Sequence, residues 1–149
     1  MIRNEQEYKE ASERLEAENA RLKQHREHLI ASGLKKAELK RAMDPLISFH
    51  EQLLEEVEHY ENLKRGKFPS LQNLKGLGVL LVSLRIAQGM SQRELAAKLE
   101  VHESQVSRDE RNEYHGITLE RAIKILEALG VKLHTTVVEA PLGVEVSKI

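Results

Sequence analysis

The sequence contains no cysteine, which excludes disulfides and thiolate metal sites. Aromatic residues make up only 3% of the chain, while 32% of it is charged. With many Leu, Glu, Lys and Arg, that balance favours helices, some of them long and washed by solvent on most sides. The start, Met1-Ile2-Arg3-Asn4-Glu5-Gln6-Glu7, lacks the apolar core of a signal peptide. The longest apolar stretch, Leu77 to Val82, is far too short to cross a bilayer. A soluble, cytoplasmic protein with no membrane partner is expected. Gly-rich phosphate loops, nucleophile elbows and metal-hydrolase signatures are also missing. Asp109 and Glu110 are adjacent on a predicted helix, so they point apart and cannot flank one substrate. His25 and His28 lie three residues apart with no third ligand nearby, which reads as a solvated pair. No catalytic, cofactor-binding or metal-binding residue is expected, and the chain does not read as an enzyme.

An excess of basic charge is lacking too, since the net charge is -1. Met1 to Arg65 carries twelve Lys or Arg against fourteen Asp or Glu, and Leu74 to His134 carries nine against eight. Any nucleic-acid contact must therefore come from basic residues placed locally rather than from a global field.

The chain divides into four stretches. Residues 1–65 read as two long helices forming a hairpin or coiled coil. Tyr8, Leu15, Leu22 and Leu29 recur every seven residues, a single apolar stripe, with Ser32-Gly33 as its stop. Leu39, Met43, Leu46, His50, Leu53, Val57 and Tyr60 alternate spacings of four and three, the coiled-coil pattern. Pro45 falls inside that run. Because proline suits a first helical turn, the second helix is predicted to run from Pro45 to about Lys64, with Asp44 as its cap and residues 34–43 as a lead-in. A narrow apolar stripe needs a partner surface. Burial of that stripe against a second copy predicts a homodimer through the N-terminal helices; packing on the chain's own second domain is the alternative. Residues 66–73, with Phe68-Pro69-Ser70, form a hinge. Residues 74–133 form a compact set of short helices. The first is built from Leu77, Leu80, Leu81, Leu84 and Ile86. The second opens at a Ser91/Glu94 capping box. The third covers about Glu103 to Glu110. The fourth is capped by Thr118 and ended by Gly130. Residues 134–149 are a tail. Val131 to Val138 is rich in Val and Thr, and a turn at Pro141 and Gly143 into Val144-Glu145-Val146 makes a short β-hairpin or a frayed tail equally compatible with the pattern. The fold class is all-α with that one exception.

A helix-turn-helix requires two short helices crossing closely, with a small residue at the crossing and apolar residues on both sides of the turn. Ala96 supplies the first requirement; Leu95, Leu99, Val101 and Val106 supply the second. The run from Met90 to Leu99, then Val101, then Ser104-Gln105-Val106-Ser107-Arg108 and Glu110, resembles the Cro/CI-type (XRE) helix-turn-helix family. Gly116-Ile117-Thr118-Leu119 and Leu126 to Val131 extend the resemblance over about 60 residues. The N-terminal arm resembles the helical extensions of some antitoxin-like members.

The resemblance implies a five-helix, lambda-repressor-like domain that binds double-stranded DNA in the nucleoid. Its recognition helix would start near Glu103 and enter the major groove. His102, Glu103, Ser104 and Arg108 fall at the family's base-facing positions, with Gln105 at the edge of that surface. Ser91, Gln92, Arg111, Asn112 and Tyr114 would approach phosphate or sugar. Arg85 and Glu110 match a structural ion pair of the family. Three residues depart from its pattern. Glu100 stands where glycine is usual, His102 replaces a Ser or Thr cap, and Asp109 replaces an apolar residue. The implied function is a dimeric, sequence-specific transcription regulator on a palindromic operator. The alternatives are an antitoxin whose arm binds a toxin, or a protein-interaction scaffold that has lost DNA binding.

Overall fold

The computed structural model describes residues 1–141 and Gly143. Six helices make up its regular structure: α1 (Glu5–Ala31), α2 (Lys36–Lys64), α3 (Leu77–Ala87), α4 (Gln92–Lys98), α5 (Glu103–Arg111) and α6 (Leu119–Ala128).

Helices α1 and α2 form the antiparallel hairpin that the two stripes predict. Asn4 caps α1, its side-chain oxygen accepting from the Glu7 N–H at 2.9 Å. At the far end Gly33 takes a left-handed φ of 82°, which closes the helix. The base of the hairpin is clamped by aromatic residues. The Tyr8 and Tyr60 rings stack with centroids 4.9 Å apart. Tyr8 donates to Glu61 at 2.8 Å and Tyr60 donates to Glu5 at 2.9 Å. The Glu61 carboxylate, by accepting from the neutral phenol, raises the Tyr8 pKa. Burial, followed by the bond to Glu5, pushes Tyr60 up to about 12.

Helix α2 starts nine residues before the predicted Pro45 boundary. Glu38 accepts from the Lys35 N–H at 3.0 Å and so secures the first turn. Pro45 then sits inside a continuous helix, where the missing N–H leaves one carbonyl without its helical partner. The apolar stripe explains the difference. Leu39 and Met43 precede the proline and continue the seam against α1, and Met43 is only 5% exposed. Their burial offsets the local penalty.

Helix α3 is the centre of the rest of the molecule. Every residue from Leu80 to Ile86 is buried, as expected of a helix that is apolar nearly all round. Each buried Leu or Ile contributes about 1.5–3 kcal/mol before chain entropy is subtracted. Val57, Tyr60 and Leu63 of α2 join the core from one side. Leu95, Val106, Ala122, Ile125 and Leu129 join it from α4, α5 and α6. Gly78 permits a close approach. A Cβ there would lie 1.9 Å from the Glu113 carbonyl oxygen.

One expectation needs correction, and one alternative left open by the sequence narrows. The region holds four helices, not the five that the resemblance implies. Residues 131–138 form no strand and continue without regular structure to Pro141. Gly130, at φ 65°, closes α6 through bonds from its own N–H to Glu127 and from Val131 to Leu126, and Val131 to Pro141 finds no neighbouring edge among the described residues. Val144 to Val146 lies outside the described residues.

Candidate nucleic-acid interface

The surface of interest is built on α4, the turn after it, and α5. Ser91 opens α4: its hydroxyl accepts from the Glu94 N–H at 3.1 Å, and Glu94 accepts from the Ser91 N–H at 2.7 Å. That backbone donor also holds the Glu94 carboxyl below its ordinary pKa. The helix ends in a Schellman turn, with Val101 N–H bonded to the Ala96 carbonyl and Glu100 N–H to that of Ala97. Glu100 adopts the left-handed conformation there, at φ 56°. The crossing is as close as a small residue allows. Ala96 is 2% exposed, with Leu95 and Val106 fully enclosed beside it.

Helix α5 is capped by His102, whose Nδ1 accepts from the Ser104 N–H at 3.2 Å and lies 2.8 Å from the Ser104 hydroxyl. The imidazole thus takes over the capping bond of the usual Ser or Thr. Arg85 and Glu110 form a buried pair at the other end of α5. Arg85 Nε and Nη2 donate to the two Glu110 oxygens at 2.5 and 2.7 Å. Arg85 Nη1 donates to the Met90 carbonyl at 2.6 Å, and Gln92 Nε2 donates to Glu110 at 2.7 Å. Helices α3, α4 and α5 therefore meet on one carboxylate. A second tie comes from α6. Arg121 donates to Asp109 at 2.5 Å. With its amide oxygen turned toward α6, Gln105 accepts from the same guanidinium at 2.9 and 3.0 Å.

These ties leave a polar face free. His102, Glu103, Ser104, Arg108, Arg111 and Asn112 are all exposed. Ser91 is exposed at the neighbouring end of α4, and Gln92 is half-buried beside it. Gln92 has one amide hydrogen on Glu110 and a second left over. Gln105 is half-buried and turned toward Arg121.

Tyr114 is not on this face. It is 5% exposed, its hydroxyl is enclosed without a hydrogen-bond partner, and burial raises its pKa. Glu113 and Tyr114 both adopt left-handed backbone, each at φ 52°. That double turn carries the ring inward, so Tyr114 packs instead of approaching a phosphate.

Residues 81–135 match the helix-turn-helix family model. This segment is a Cro/CI-type helix-turn-helix domain. The match supports a DNA-binding regulator in general terms. No curated protein and no solved structure matches the chain. Among the described residues, no helix is long and apolar enough to cross a membrane.

Sequence reasoning passed over Arg121 and Gly78 as parts of this Cro/CI-type domain. Asp109 was the available signal for Arg121, because an acid at an apolar position needs a cationic neighbour. Nothing local marked Gly78, whose reason is the carbonyl of a residue 35 positions away.

Proposed function

We propose that the protein is a sequence-specific regulator that binds double-stranded DNA as a dimer on a palindromic operator. In this reading residues 1–65 are the dimerisation arm, 66–73 the connection, 74–133 the reading domain and 134–149 a tail. Two copies present α5 to successive major grooves about 34 Å apart. Arg108 reads guanine by a bidentate contact and Glu103 accepts from cytosine N4. His102 and Ser104 complete the base-facing set, with Gln105 at its edge, braced by Arg121. Ser91, Gln92, Arg111 and Asn112 hold phosphate. The α4 N-terminus adds its backbone donors. The protein works in the cytoplasm, on the nucleoid.

The observation that carries this reading is the exposed polar face of α5, held out from the body by the Glu110 cluster at one end and the Ala96 crossing at the other. Selection of bound sequences from a random DNA pool tests it, with a two-fold symmetric site as the expected product. Replacing Arg108 by Ala is expected to weaken binding by about 1–3 kcal/mol and to relax one base position per half-site. An equal loss on every sequence contradicts base reading.

A further inference from the structure

The hairpin is electrically divided along its length. The tip, residues 20–42, carries seven Lys or Arg against two Glu. The stem, residues 1–19 and 43–65, carries five against twelve Asp or Glu. Because α1 and α2 run antiparallel, the fold lays the basic half of one helix beside the basic half of the other. The acidic halves meet in the same way. An isolated hairpin is therefore self-repelling at both ends.

Helix α2 also carries more apolar surface than α1 covers. Met43 and Val57, on the stripe facing α1, are buried. Ala42 and Phe49, together with Leu46 and Leu53 from the edge of that stripe, form a second seam at spacings of four, three and four, the pattern of a further helix–helix contact. Leu46 remains 42% and Phe49 49% exposed, although the Arg14 guanidinium lies 5.2 Å from the Phe49 ring centroid.

We propose that this second seam is filled by the same seam of another copy, packed antiparallel, with the basic tip of each hairpin lying over the acidic stem of the other. This rests on the dimeric reading and specifies its geometry. Leu46 of each copy faces Phe49 of its partner around the two-fold axis, and Ala42 faces Leu53. The basic tip of each copy then lies over the acidic stem of the other, twice per dimer. The inversion relieves the repulsion within each hairpin and buries the exposed stripe in one step. A parallel dimer would stack tip on tip and leave both faults in place.

The lack of native cysteine makes the geometry directly measurable on the full chain. In the antiparallel arrangement, oxidising a mixture of Ala42→Cys and Leu53→Cys chains joins one to the other. Neither variant joins to itself, because two copies of position 42 then lie about 16 Å apart, beyond disulfide reach. Arg41→Glu lowers the charge of each basic tip and is expected to raise the dimer dissociation constant several-fold, a difference that shrinks as salt is added. A self-disulfide of Ala42→Cys in a stable dimer overturns the arrangement and leaves the dimeric reading intact. A chain that sediments as a monomer, with DNA and without it, overturns both. If Arg41→Glu weakens DNA binding without touching self-association, the basic tip serves DNA and the proposal fails.

Discussion

Glu110 is the residue whose loss should be felt most widely. It is 4% exposed, as is Arg85, and it accepts from both Arg85 and Gln92. Replacing Glu110 by Ala leaves the Arg85 guanidinium enclosed with only the Met90 carbonyl as partner. Removing one member of a buried pair costs about 3–5 kcal/mol. Total stability for a domain is about 5–15 kcal/mol, so a fifth or more of it is at stake. The melting temperature is expected to fall by about 10–15 °C. The double variant Arg85→Met with Glu110→Leu removes the charge along with its partner and is expected to recover most of that loss. Urea unfolding followed by circular dichroism measures both variants. A loss below about 1 kcal/mol for Glu110→Ala, or a double variant no more stable than the single, refutes the reasoning. A folded double variant is still expected to bind DNA more weakly, because Gln92 loses the carboxylate that orients it.

Pro45→Ala restores an N–H inside α2 and is expected to stabilise the hairpin by up to about 3 kcal/mol, read as a higher unfolding midpoint. An unchanged midpoint means that the helix already bends to absorb the missing bond. Gly78→Ala is expected to destabilise by about 1–3 kcal/mol, because the added carbon meets a backbone oxygen that cannot rotate away; a neutral effect in thermal melts contradicts that. Tyr60 is expected to titrate at about 12 in an ultraviolet absorbance titration. Its folded pKa is raised, so the stability it contributes is complete below the unfolded value of about 10 and is lost as pH climbs toward 12. Tyr60→Phe should lessen the alkaline loss of stability, to which Tyr8 and Tyr114 also contribute, and loss in that variant of a phenol titrating near 10 argues against the enclosed, Glu5-bonded geometry.

The reading domain was legible in the sequence because its signals are local. The Ser91/Glu94 capping box, the small residue at Ala96 and the Gly130 stop each act within a few residues of themselves: α4 begins at the box, crosses α5 at Ala96, and α6 closes at the glycine. The Arg85–Glu110 pair came from resemblance and has the expected contact. What escaped was set by distant neighbours. Pro45 reads locally as a helix start, but Leu39 and Met43 find their partners on α1, so the helix runs through it. Tyr114 reads as a polar loop residue, and only the paired left-handed turns of Glu113 and Tyr114 show that its ring goes inward. Val131 to Val138 has strand composition without a partner strand among the described residues, and β propensity expresses itself only against one.

Helix α3 touches both ends of the molecule's work. Val57, Tyr60 and Leu63, at the root of the arm, share its core, and Arg85, one turn from its end, grips α5. The arm and α5 are thus mounted on a single rod. In the proposed dimer, the distance between half-sites should then be dictated by how the arms are joined, not by the slack of the chain between residues 65 and 76. Lengthening that connection should leave operator spacing unchanged, while adding a turn to the arms should reset it.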